Sequence, residues 1–494
     1  MEKEYYKVSE EQIDYLIEKM QGTKIEESYL PIIGDIMLRR KFEFKLSDEL
    51  FKRDINTFIE NVKRIEVKDL EKAYGLYDHV KKKIVLNSIL FKEGKFNTQK
   101  RLEKIYSTLV HESVHAMNFT KNKRGRKEDR AFLNNNKKSN KGIMEAFTEC
   151  EADELVYNKL PFEISIDGNI NKRNTESYRK LTHYIDIIAL AFGVKRKELI
   201  TEKIKGKKEL QSFLNSHVHS VDEKTGENII FEGIEENIEK IYYETYKQEQ
   251  KDQEKINHAQ LLIYSLVEVA INERINNIKV NDSNELEKQF DKIILGQKLI
   301  DYLMADNYSK ENLYRFHKNE FEEYKIANTK LICIQEILEN NNITEKKELI
   351  QKVQKCNTLV NISKFIKENN ISVTPRDRQM ELSERLKEYG FAEPDMRWQN
   401  YTDIMKYIMQ NQKDMNVPPE PSKFKVLTEK IKKFFHRKDV KMIPEKTMPM
   451  WWDLSEWGIN KEEFIIESQK NNQRFISTQK TTNEVDLGEK DHEH

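Results

Sequence analysis

Proline and glycine are scarce. The 494 residues contain 9 prolines and 15 glycines, less than half the average share. That excludes a collagen-like, low-complexity or many-turned all-β chain and favours helices. Cysteine is nearly absent too: Cys150, Cys333 and Cys356 are an odd number, far apart and without a CxxC pair. No disulfide framework follows, and a reducing compartment is the expectation. Net charge is also missing, since 85 Lys and Arg balance 85 Asp and Glu. Without a global basic field, nucleic-acid binding is disfavoured. No uncharged apolar run is long enough to span a bilayer. The first twenty residues, MEKEYYKVSEEQIDYLIEKM, lack the basic and apolar regions of a secretory signal. The expected location is cytoplasmic, with signal-independent export left open.

What is present is helical periodicity. Hydrophobic residues are 37% and charged residues 34% of the chain. Ile13, Leu16, Ile17 and Met20 sit at helical spacing, and residues 1–70 predict two or three helices. Between 73 and 91 the character changes: Gly75 precedes a β-favouring stretch, and Ile84-Val85-Leu86 reads as a strand. Leu102, Ile105, Tyr106, Leu109 and Val110 form one stripe, predicting a helix over 99–119. Segment 121–141 carries nine Lys and Arg against Glu128 and Asp129 and reads as a mobile loop. It would serve as a substrate-steering flap or as a plain solvated insertion. A helix follows Gly142 and stops near Pro161, and another covers 175–200 with a break at Gly193.

From about 234 to 370 helical segments follow one another with almost no Gly or Pro, an all-α pattern. Seven of the nine prolines lie at or beyond Pro375. These shifts divide the chain into residues 1–225 (core 70–205), an all-helical 226–372, and a Pro- and Trp-containing helical 373–494 ending in a disordered tail. Segment 421–441 sets Phe424, Leu427, Ile431 and Phe434 among eight Lys and Arg. It is a basic amphipathic helix, either packed on its domain or offered to a membrane surface or a partner. Trp451, Trp452 and Trp457 make an exposed patch or a small core.

One motif carries chemistry: His111-Glu112-Ser113-Val114-His115. On a helix, positions i and i+4 share a face, so both imidazoles reach one metal ion. Glu112 lies close enough to act as a carboxylate base on a metal-bound water. That is the arrangement of a zinc hydrolase. Two histidines leave a third protein ligand to find. Glu145 and Glu149 are i and i+4 on the next predicted helix. One can ligate while the other accepts the free N–H of a ligand histidine; a solvated acidic face is the alternative.

HExxH followed by Glu on a second helix resembles the gluzincin zinc metallopeptidases. GIMEAFTE, 142–149, looks like their E-x-x-(S/T)-(D/E) element, although Ala146 stands where glycine is common. The resemblance covers about 70–205. It implies a zincin-like α+β catalytic unit, followed here by helical domains in a predominantly α, multidomain chain. It implies Zn2+ held by His111, His115 and Glu145, with Glu149 orienting a histidine. The implied reaction is hydrolysis of peptide bonds by Glu112-assisted attack of a zinc-bound water, on a peptide or protein substrate. An oxyanion donor is needed across the cleft. Tyr178 is the first candidate from its place in the resemblance, with His217 and His219 as others; core packing of Tyr178 and a surface place for the histidines, or a weak second metal, are the alternatives. The resemblance also makes the 84–86 strand the sheet edge beside the cleft, where an extended peptide would add. The competing reading is a non-catalytic helical interaction protein with a relic zincin fold, whose C-terminal half binds a protein partner.

Overall fold

A computed structural model describes residues 10–21, 23–71, 73–92, 98–121, 127–132, 140–157, 162–164, 170–172, 179–248, 250–278, 283–305, 321–340, 343–371, 396–398, 401–416 and 442–444. They are predominantly helical. The chain opens with α1 (Glu10–Gln21), α2 (Leu30–Glu43) and α3 (Asp48–Asn61), then β1 (Arg64–Lys68), β2 (Gly75–Asp78) and β3 (Lys83–Asn87). The long α4 (Thr98–Asn118) runs into a hairpin of β4 (Phe119–Lys121) and β5 (Lys127–Asp129). Next come α5 (Lys141–Tyr157), a hairpin of β6 (Phe162–Ile164) and β7 (Ile170–Lys172), α6 (Arg179–Phe192), α7 (Arg196–Lys205) and α8 (Lys207–His217). The remainder is helical: α9 (Ile229–Tyr246), α10 (Gln253–Asn277), α11 (Ser283–Ala305), α12 (Phe321–Glu339), α13 (Lys346–Gln354), α14 (Leu359–Glu368) and α15 (Tyr401–Met415). Short strands β8 (Met396–Trp398) and β9 (Met442–Pro444) pair around α15.

Helix starts follow side-chain chemistry. Ser47, Asn228, Asp252 and Thr358 each accept a backbone N–H of the first turn that no helical carbonyl can reach. The buried apolar side chains form one contiguous cluster from Leu16 in α1 to Met415 in α15. Helix α9 packs on α5, and α10 and α11 pack on α6. Among the described residues no helix is long and apolar enough to cross a membrane.

The three-stranded sheet has the order β1-β3-β2, with β1 parallel and β2 antiparallel to β3. This corrects the expected place of Ile84-Val85-Leu86. That strand exists, but it is central and every residue in it is buried. The edge beside α4 is β2. A continuous apolar run marks a strand covered on both faces, whereas an edge strand tolerates the exposed Leu76.

Segment 121–141 also departs from a plain loop. Asp129 is fully buried against Lys203 at 3.3 Å. The Arg130 guanidinium donates to Met117 O at 3.3 Å, and Ala131 and Phe132 join the core. His217-Val218-His219 is not a strand. His217 ends α8, and the His217 and His219 Nδ1 atoms each lie 2.9 Å from a carbonyl one turn back, of Phe213 and Asn215. Tyr178, Pro375, segment 421–441, Trp451, Trp452, Trp457 and the C-terminal tail lie outside the described residues.

Two cations, one buried and one half-buried, lock helices together. Arg40 in α2 donates to Glu151 of α5 at 2.6 Å and to Asn118 of α4 at 2.6 Å, and it pairs with Asp54 of α3. Arg274 in α10 donates to Leu190 O and Ala191 O, both at 3.0 Å, closing the end of α6. Its guanidinium lies where a side chain on Gly193 would sit. Gly193 has φ +72°, and a Cβ there would come within 2.2 Å of Arg274 Nη2. Gly193→Ala combines left-handed strain with loss of charge-assisted bonds, so it should cost about 2–4 kcal/mol. A urea midpoint unchanged from wild type would contradict this.

Candidate metal centre

The site is built from two antipodal uses of one helix. Leu109, Val110, Val114 and Met117 of α4 are fully buried in the core. The turn between them presents His111, Glu112 and His115 on the other side. Helix α5 lies against α4 and faces them with Glu145, Thr148 and Glu149.

Three ligand atoms converge. His115 Nε2 lies 3.2 Å from His111 Nε2 and 3.2 Å from Glu145 Oε2, and His111 Nε2 lies 3.4 Å from the same oxygen. A tetrahedral zinc with ligands at about 2.0–2.1 Å needs its ligand atoms about 3.3–3.4 Å apart. The triangle therefore has the size of one face of that tetrahedron. His111, His115 and Glu145 are the group among the described residues able to hold a metal ion.

The outer ring nitrogens explain why this cluster wants a cation. Glu149 Oε2 lies 2.7 Å from His111 Nδ1. An ionised carboxylate only accepts, so Nδ1 carries the proton and Nε2 presents a lone pair. Thr148 Oγ1 lies 3.4 Å from His115 Nδ1, and its hydroxyl can either accept from that nitrogen or donate to it. With both Nδ1 atoms protonated, two lone pairs and a carboxylate oxygen face one another, an arrangement that a proton or a metal ion must relieve. Burial disfavours the His111 imidazolium, yet the Glu145 and Glu149 carboxylates outweigh it and hold the pKa well above the usual histidine value. Burial alone would raise Glu145, but His115 and His111 pull it well below the ordinary carboxylate range. Glu112 goes the other way: burial pushes it up, against the pull of His111 and His115.

Sequence reasoning placed Glu145 against Glu149 as alternatives for the third ligand position. The geometry puts Glu145 in the triangle and Glu149 behind His111. Glu145→Gln should therefore lose zinc affinity more than Glu149→Gln, for which a loss of about 10–100-fold is expected. Competition with a chromogenic chelator measures both, and equal affinities matching wild type would refute the assignment.

Sequence reasoning missed Thr148 as a histidine partner. Its signal was its position three residues after Glu145, on the same helix face. It also missed α9. The Glu239 carboxylate accepts the Gly142 backbone N–H at 2.5 Å, capping the start of α5. Burial raises the Tyr242 and Tyr246 hydroxyl pKa values, and the Glu145 and Glu149 charges raise them further. Both tyrosines thus lie in the field of the site's carboxylates, and no local spacing could have revealed it. His217 and His219 do not join the triangle, and Tyr178 lies outside the described residues. No family model, curated protein sequence or solved structure matches the chain.

Proposed function

We propose that the chain is a zinc-dependent metallopeptidase of gluzincin type, with a zincin-like catalytic unit. His111, His115 and Glu145 hold the ion, and Glu112 is the general base. The observation that carries this reading is the near-equilateral triangle of ligand atoms with Glu112 beside it on α4. Zinc, when bound, polarises a carbonyl oxygen and makes water acidic enough to react near neutral pH.

The chain's own residues do the rest. Glu112 takes a proton from the attacking water and delivers it to the departing amine, so one water and one peptide bond yield one acid and one amine. Its burial favours the protonated form held between those steps. Glu149 holds His111 in the tautomer that leaves Nε2 free to ligate, and Thr148 orients the His115 ring from its Nδ1 side. Tyr242 and Tyr246 on α9 stand with Tyr178 as the donors to test for the developing oxyanion.

Strand β2 is the edge on which an extended peptide would add. Tyr74 O accepts Asn87 N–H at 2.8 Å. By antiparallel alternation, the Gly75 and Tyr77 backbone groups then point away from β3. The reading is tested by exposing a peptide library to the zinc-loaded chain. Cleavage that Glu112→Gln lacks supports it; no cleavage above that variant ends it.

A further inference from the structure

Glycine at position 75 is not there for its backbone freedom. Gly193, Gly206 and Gly226 have positive φ, and Gly75 does not. Any residue could adopt its extended conformation in β2. What position 75 lacks is room. A Cβ there would lie 2.4 Å from Thr108 Cγ2, 2.8 Å from Glu112 Oε1 and 3.0 Å from Glu112 Cγ. Contacts under 3.0 Å force something to move. Thr108 Cγ2 is a short branch on α4, held by its own helix, whereas the Glu112 carboxylate is the free end of a longer side chain. Both contacts must be relieved, and of the two groups the carboxylate is the freer to give way.

The neighbouring strand backbone points to the same contact. The Gly75 and Tyr77 backbone groups face away from β3 together, and β2 packs against α4. The sheet edge therefore lies directly on the base. On the opposite side, Glu112 is one residue from the ligand His111. A carboxylate wedged between a strand and a helix has few rotamers left to it.

We propose that Gly75 is a positioning residue for Glu112: its bare α-carbon lets β2 close on α4, so that the sheet edge holds the base carboxylate in place. This rests on the metallopeptidase reading and adds to it a residue outside the HExxH and Glu-containing helices. It makes the separation of β2 from α4 a determinant of proton transfer, independent of the ligand triangle.

The test uses cobalt(II) in the full-length chain and acetohydroxamic acid as the probe. A hydroxamate chelates a metal with loss of a proton, which an adjacent carboxylate takes up and hydrogen-bonds. Its affinity, read from the visible cobalt spectrum, thus reports where that carboxylate stands. Gly75→Ala should bind cobalt with the stoichiometry of wild type and lose hydroxamate affinity about tenfold or more, the size of a hydrogen bond to a charged group. Glu112→Gln should lose a similar amount, and Gly75→Ala added to Glu112→Gln should lose little further.

Gly75→Ala with Thr108→Ser removes the Cγ2 contact and leaves the Glu112 one. This pair should recover thermal stability without recovering hydroxamate affinity. Wild-type hydroxamate affinity in cobalt-loaded Gly75→Ala overturns the role of Gly75 alone. Absence of cobalt binding in the wild type takes down the metallopeptidase reading together with it. If neither Gly75→Ala nor the pair with Thr108→Ser folds, position 75 serves packing and the proposal fails.

Discussion

Wild-type protein purified without chelator should carry about one zinc ion per chain, and His115→Ala far less. His115 Nε2 is 3.2 Å from each of the other two ligand atoms, so its removal opens two edges of the triangle at once. The remaining His111 and Glu145 make too few bonds to retain a structured site. Elemental mass spectrometry gives the stoichiometry directly. Zinc at about a thousand times its Kd should also stabilise the wild type by about 4 kcal/mol and leave the variant unmoved. No zinc in either protein, even after it is added back, would make HESVH an accident of composition.

The same experiment has a defined pH dependence. In the metal-free chain, His111 has a pKa well above 6.5, its ordinary value, because two carboxylates face it. The imidazolium therefore stabilises the metal-free fold fully below the ordinary value, and that contribution fades as pH rises through the raised one. Zinc needs the neutral ring, so the sign for binding is opposite. Zinc affinity should rise with pH until His111 has lost its proton, and its midpoint should lie above the usual histidine value.

Glu112→Gln should keep its zinc and lose cleavage by about 10²–10⁴-fold, or about 3–5 kcal/mol of barrier. Glutamine preserves the size and the buried position of the side chain but cannot accept the proton. No ligand atom is altered, so metal content stays at the wild-type level. This separation of chemistry from metal binding distinguishes a general base from a structural acid. A variant that holds zinc and cleaves at the wild-type rate would remove Glu112 from the mechanism.

Local spacing carried most of the site. Histidines four apart on a strongly periodic helix share a face whatever the surroundings, and the same holds for Glu145 and Glu149. The helices over 98–118, 141–157 and 179–192 were legible because their apolar stripes repeat at helical period. Strand β1, Arg-Ile-Glu-Val-Lys, was not, since its two apolar residues are also compatible with a helix. The order β1-β3-β2 was beyond reach because parallel pairing joins residues about twenty apart without any local mark. The basic segment after α4 read as solvated from its charge count. Its buried part is held by partners distant in sequence, Asp129 by Lys203 and Arg130 by Asp54, Thr57 and Ile204 O, which composition averages away. The approach of α9 to α5 was hidden for the same reason, being a contact between residues roughly a hundred apart.

The Arg40 pairing has a consequence for how this sequence can diverge. One guanidinium, 1% exposed, faces Asp54 and Glu151, and Glu151 lies 3.6 Å from the fully buried Lys203, which also faces Asp129. Losing one member leaves an uncompensated charge in the interior, at a cost of about 3–5 kcal/mol, whereas exchanging a whole set for well-packed apolar residues is often neutral. Single steps at these positions are selected against while concerted ones are tolerated, so descendants of this chain should inherit the set intact or replace it as a block. Because α2 and α3 reach α4 and α5 through that set, the helices that carry the candidate metal centre and the N-terminal helices are bound to drift through sequence space together.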